Sequence, residues 1–195
     1  MSSTRERILD GAAQVMRSRG LARATTKEIA KQAGYSEATL YKHFRDKTEL
    51  FIGVLHERVP GELAALLAGL GERAGEGAVT ETLEEVAQAA LDFYGETFPM
   101  AAALFAEPEL LAAHRSALYA VGAGPHAVRD AVAGYLAAEQ AAGGIAAAAD
   151  PEAAAALLLG ACLQQAFLGN FAGDPAAPEG FAARLVRTLS GGLGV

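Results

Sequence analysis

Two short amphipathic segments meet at Gly34-Tyr35, and this junction constrains the fold more than any other stretch of the chain. The first opens on Thr25-Thr26-Lys27-Glu28, where Thr25 and Glu28 stand three apart as in a capping box, so a helix starts there. It carries Ile29, Ala30 and Ala33 on one side and ends at Gly34. Ser36 then caps a second helix, which the pattern carries to about Phe44. Two helices crossing steeply through a short glycine-containing turn make a helix-turn-helix. Leu40 and Phe44, one turn apart, face inward on Ile29 and Ala33. At about 100° per residue, Ala38 and Lys42 point the other way, flanked by Thr39 and Tyr41. A small, hydroxyl-bearing and basic face of this kind suits the major groove of DNA, where a bulky apolar face would not enter.

Helical signals continue on both sides. Ser3 with Glu6 forms another capping box, and Ile8, Leu9, Ala12, Val15 and Met16 trace one buried stripe to Arg19 before Gly20. Asp46 caps a fourth helix with Glu49 at its third position; Pro60 is expected to kink it before it continues to about Leu70. A glycine-rich loop at 71–78 precedes a helix over 80–97, a short helix after Pro99 and another from Pro108 to about Val121. The sequence at 122–125 breaks the chain before a helix over 126–142. Asp150-Pro151-Glu152 opens a long helix to about Phe171, and a last helix starts near Pro178 and fades at Gly191-Gly192. Alanine and leucine dominate, β-branched residues are sparse and tryptophan is missing, which favours helix throughout. The expectation is an all-α chain of nine or ten helices, with a three-helix helix-turn-helix domain at 1–48 and a helical bundle at 49–195.

Charge is divided unevenly. Residues 1–50 hold ten Lys/Arg against six Asp/Glu, net +4, so the remainder holds six against 17, net -11. A basic head on an acidic body presents one face to a polyanion and turns the other away. Lys47, at the first position of its helix, is disfavoured there by the helix dipole by about 0.3–1 kcal/mol. It is either a solvated lysine or a ligand, with the free N–H groups, for a phosphate.

Other classes are excluded by what the chain lacks. The single cysteine, Cys162, allows neither an internal disulfide nor a multi-cysteine zinc site, and its apolar surroundings mark it as core. His114 and His126 have no partner at metal-ligand spacing. A di-iron bundle enzyme would need Glu-x-x-His pairs, whereas His114 follows Glu109 by five residues. No Ser-His-Asp order, P-loop or Gly-x-Gly-x-x-Gly occurs, so neither an enzyme nor a cofactor is expected. The N-terminus has no apolar core of a signal peptide. The longest apolar run, residues 153–163, is shorter than the ~20 residues of a membrane span. The expected location is the cytoplasm, with no membrane partner.

Together Thr25-Thr26-Lys27-Glu28-Ile29-Ala30, Ala33-Gly34-Tyr35-Ser36, Thr39-Leu40-Tyr41-Lys42-His43-Phe44, Lys47 and Leu50 resemble the DNA-binding signature of the tetracycline-repressor (TetR) family. The match covers about residues 5–52 without a gap; Tyr35 departs from it, standing where a small aliphatic residue is usual. The resemblance implies a ligand-responsive homodimer that represses transcription from a palindromic operator in double-stranded DNA and is released by a small, largely apolar effector. It places Thr26, Tyr41, His43 and Lys47 on phosphates, and Lys27, Glu37, Ala38, Thr39 and Lys42 near base edges, with Ser36 as the cap between them. Glu37 either accepts from a cytosine amine or is an exposed first-turn residue. Tyr41 is a phosphate contact or a core-edge aromatic, and His43 a contact or a solvated side chain.

The same resemblance assigns residues 49–195 to effector binding and dimerisation. The middle helices carry the aromatic and polarisable residues Phe93, Tyr94, Phe98, Met100, Leu104, Phe105, His114 and Tyr119, which line an apolar pocket or fill a plain core. On the last two helices Leu157, Leu158, Ala161, Cys162, Gln165 and Leu168, with Phe181, Leu185 and Leu189, recur at helical spacing. Those stripes form a four-helix dimer interface or an internal core.

Overall fold

The computed structural model describes residues 2–21, 23–58 and 61–194. The described residues form ten α-helices and one 3-10 turn joined by loops, with no strand among them. Packing divides the chain into Met1–Pro60 with Pro99–Val121, and Gly61–Phe98 with Gly122–Val195. This division by packing differs from the functional one expected at 48/49.

The first unit contains α1 (Thr4–Arg19), α2 (Thr26–Ala33), α3 (Glu37–Leu40), α4 (Lys47–Glu57) and α7 (Pro108–Ala120), with the C-terminal end of α6 (Val79–Phe105). Both expected capping boxes form: Ser3 with Glu6 on α1, and Thr25 with Glu28 on α2. Ile8, Leu9, Ile29, Leu40, Leu50 and Val54 are fully buried in one core with Phe44, and Met100, Leu104 and Leu110 extend it. Each such side chain contributes about 1.5–3 kcal/mol of burial. At Gly11 α1 approaches α2 so closely that a Cβ would lie 3.0 Å from the Ala33 nitrogen.

The second unit contains α5 (Glu62–Gly69), a 3-10 turn (Leu70–Arg73), the rest of α6, α8 (Pro125–Ala142), α9 (Pro151–Ala172) and α10 (Phe181–Leu193). Leu83, Val86, Ala87, Val132, Leu136, Leu158, Cys162 and Val186 form its fully buried centre. Asp150 caps α9, accepting from the amides of Glu152 and Ala153, with Pro151 in the first turn. At 22 residues α9 is longer than its uninterrupted apolar run. It is the one described helix long and apolar enough to cross a membrane by length and composition alone, and 39% of its most apolar window is buried in the fold.

Two expectations are corrected here, and a third lies outside the described residues. Pro99 does not separate two helices but lies inside α6. Proline has no N–H for the carbonyl four residues back. That carbonyl, on Gly95, instead accepts from Asn170 Nδ2 at 3.1 Å, so the helix continues. The expected kink falls at Pro60, outside the described residues; among those described, α4 ends at Glu57 and α5 begins at Glu62. The last helix runs through Gly191-Gly192 to Leu193.

Candidate nucleic-acid interface

The turn between α2 and α3 is built from local chemistry. Gly34 adopts φ +77°, a left-handed conformation that favours glycine, and the Tyr35 N–H reaches back to the Ala30 carbonyl at 2.9 Å. Tyr35 is half-buried, with the Arg7 guanidinium 5.0 Å over its ring, so α1 covers the side chain that departs from the family pattern. The Ser36 hydroxyl accepts from the Thr39 N–H at 3.2 Å and caps α3. α3 is shorter than expected. After Leu40 the amides of Lys42 and His43 turn to carbonyls three residues back, at 3.2 and 3.0 Å, so the helix tightens before Phe44.

Around this turn the expected contact residues fall on the outside. Lys27, Ser36, Glu37, Ala38, Tyr41, Lys42, His43 and Lys47 are exposed, and Thr26 and Thr39 are half-buried. Leu40 and Phe44 are buried in the same core as Ile29 and Ala33, as the spacing required. The Thr26 hydroxyl donates to Glu37 Oε1 at 2.6 Å, and the Tyr41 hydroxyl donates to Thr26 Oγ1 at 3.4 Å. This chain of polar groups was not visible in the sequence. It fixes the Glu37 carboxylate against α2.

Electrostatics divide the basic residues into two groups. Arg5, Arg19 and Arg45 are neutralised by Glu57, Glu28 and Glu49. Arg5 holds the Glu57 carboxyl below its ordinary range, and hydrogen bonds from Thr25 and from the Arg45 amide do the same for Glu28 and Glu49. Lys27, Lys42 and Lys47 make no salt bridge among the described residues. Lys47 lies at the first position of α4, whose Asp46 cap accepts from Glu49, and its ammonium sits 4.8 Å over the Phe51 ring. Three exposed ammonium groups without an ion pair among the described residues thus accompany exposed hydroxyls and a helix N-terminus, the donor types that grip phosphate.

Comparison with known proteins agrees with that surface. A family model described as bacterial regulatory proteins, tetR family, matches residues 8–54. The head of the chain, residues 8–54, is thus similar to the DNA-binding part of tetR family regulators. Among curated relatives, nucleoid occlusion factor SlmA of Vibrio atlanticus is 47% identical over 55 residues, 28% of this chain and 28% of that protein. The chain therefore matches little more than a quarter of the length of that relative. Among solved structures, Salmonella enterica GusR is 25% identical with a TM-score of 0.71, covering 98% of this chain and 96% of that one. The fold is also that of the transcriptional regulator FadR of Bacillus subtilis in complex with stearoyl-CoA, at 18% identity and a TM-score of 0.69, covering 95% and 97%.

The residues expected around an effector are distributed over both packing units. Phe93, Tyr94 and Phe98 belong to the second; Met100, Leu104, Phe105, His114 and Tyr119 belong to the first. Phe93 and Tyr94 meet edge to face, as do Phe98 and Phe167. Met100 and Leu104 are buried in the core beneath the helix-turn-helix, whereas Phe105 and Tyr119 are exposed. His114 stacks edge-on against His56 at 5.6 Å, and burial lowers its pKa below the ordinary histidine value.

The expected interface residues separate by face. Leu158 and Cys162 are buried in their own unit, where burial pushes the Cys162 thiol up to about 12. Phe181, Leu185 and Leu189 pack partly buried against the same core, and Ala161 and Gln165 are half-buried. Leu157 and Leu168 are exposed, together with Leu163, Phe167 and Phe171, which the sequence reading had not singled out.

Proposed function

We propose that this chain is a homodimeric transcriptional repressor that binds a palindromic operator through its helix-turn-helix and leaves it when a small, largely apolar effector binds the helical body. The observation that carries the reading is the surface of Thr26, Lys27, Tyr41, Lys42, His43 and Lys47. It is polar and basic, its lysines are unpaired, and it is backed by a core that fixes its shape. Lys27, Lys42, Thr39, Ala38 and Glu37 face base edges, while Thr26, Tyr41, His43 and Lys47 hold phosphates.

The exposed face of α9 supports dimerisation. Leu157, Leu163, Phe167, Leu168 and Phe171 stand 47–84% exposed on that helix, an apolar face that water disfavours and a second copy would cover. A two-fold dimer brings two identical heads to half-sites about 34–36 Å apart. An apolar effector bound among the middle helices changes that separation and so costs affinity. FadR of Bacillus subtilis, solved with stearoyl-CoA, lends support to a largely apolar effector. A DNA-binding regulator of this kind works in the cytoplasm.

Selection of bound sequences from a random duplex pool tests the reading. An enriched inverted repeat whose arms lie about one helical turn apart supports it. Recovery of unrelated sequences with no two-fold symmetry would refute it.

A further inference from the structure

Glu139 has no part in the reading above, yet it is only 2% exposed, on the side of α8 that also buries Val132, Tyr135 and Leu136. Its Oε1 accepts from the Gly75 N–H at 3.0 Å. No Lys, Arg or His forms an ion pair with it among the described residues, and Arg73, nearby in the same unit, is paired with Glu85 at 2.6 Å. A buried carboxylate without a cation is costly. One turn earlier on α8 the Tyr135 hydroxyl is buried beside Thr82 and Glu139.

Glu139 also lines an open cleft of about 490 Å³, in the range of small-molecule sites. The other lining residues are Gly75, Gly77, Ala78, Val79, Thr80, Ala142, Gly143 and Gly144. Gly75, Gly77 and Gly143 have positive φ, and a Cβ on Gly144 would collide with the Glu139 carboxylate. Glycine at these positions holds the loops in place and lets a ligand approach the backbone.

We propose that this cleft binds a small organic ammonium ion, with the Glu139 carboxylate as its counter-ion. The lining contains no basic side chain, which disfavours an anion, and no aromatic ring, which disfavours a quaternary ammonium that needs an aromatic cage. A metal ion is disfavoured too: no group of three metal-ligating side chains forms among the described residues. A primary ammonium needs only one carboxylate and a few oxygen acceptors, which Glu139, the Thr80 hydroxyl and the loop carbonyls supply. The excess of acidic residues beyond residue 50 attracts such a cation over distance.

The test uses putrescine as probe and butanediol, its neutral counterpart of similar length, as control, by calorimetry on the full chain at low salt. Glu139→Gln keeps an oxygen acceptor for Gly75 and nearly the same volume while removing the charge. Ala78→Trp fills the cleft from an exposed position and leaves the carboxylate intact. The proposal predicts saturable putrescine binding, none of butanediol, affinity at least about tenfold weaker in Glu139→Gln, and loss of binding in Ala78→Trp. If the Gln variant fails to fold, the Trp variant decides. No saturable binding up to about 10 mM, equal binding of butanediol, or unchanged affinity in a folded variant would overturn it. DNA binding is not needed for any of these outcomes, so the operator reading stands or falls separately.

Discussion

The continuation of α6 through Pro99 rests on one side chain from α9, and that dependence can be measured. Asn170 Nδ2 donates to the Gly95 carbonyl at 3.1 Å and to the Ala166 carbonyl of its own helix at 2.9 Å. Gly95 is buried, so Asn170→Ala leaves its carbonyl with neither a helical donor nor water. An unsatisfied buried carbonyl costs about 1–3 kcal/mol. Pro99→Ala restores an N–H four residues along, which supplies the missing donor from within α6. In that background Asn170→Ala should cost only the remaining weak bonds, about 0.5–1 kcal/mol. The two substitutions should therefore be coupled by about 1 kcal/mol. Urea unfolding of the four proteins, followed by circular dichroism, gives the coupling from the midpoints if the slopes agree. If the two costs add to within about 0.3 kcal/mol, Asn170 is not the substitute donor and the continuity of α6 has another cause.

Other consequences follow from the head and the core. Lys47→Ala should weaken binding to every duplex alike and reduce the slope of log affinity against log salt by about one unit; an unchanged slope removes Lys47 from the phosphate contacts. Glu37→Ala should relax preference at one base pair in each half-site by about 1–3 kcal/mol, read by comparing single-base operator variants, and no change would mark Glu37 as merely exposed. Cys162, with its thiol raised to about 12, should resist alkylation in the folded protein at pH 8 and react on unfolding, which mass spectrometry reads directly. Because the unfolded thiol ionises near pH 9 and the folded one does not, its contribution to stability falls as pH rises above that point.

Much of the head was legible because its signals are local. Capping boxes, the turn glycine and the spacing of Leu40 and Phe44 each act within a few residues, and each forms as the sequence implied. What was missed depends on partners far along the chain. Pro99 read as a helix break because the donor that replaces its N–H lies 75 residues away from Gly95, on Asn170. The Tyr41–Thr26–Glu37 chain of hydroxyls depends on how α3 crosses α2, which periodicity does not give. Glu139 did carry a local signal: it extends the buried spacing of Val132, Tyr135 and Leu136, where a charged residue is out of place. On α9, apolar residues occur all round the helix. Sequence spacing alone therefore did not separate Leu158, which is buried, from Leu157, which is exposed.

The central claim is that the exposed face of the helix-turn-helix reads DNA sequence, and one comparison tests it most directly. Fluorescence anisotropy would compare binding to the selected inverted repeat with binding to a scrambled duplex of equal length and composition, at one physiological salt concentration. Sequence-specific regulators favour their sites by about 10³-fold or more over other DNA. The account predicts a preference of that order, lost when Lys42 and Tyr41 are both replaced by alanine. Equal affinity for the two duplexes, or a preference that survives the double replacement, would contradict it.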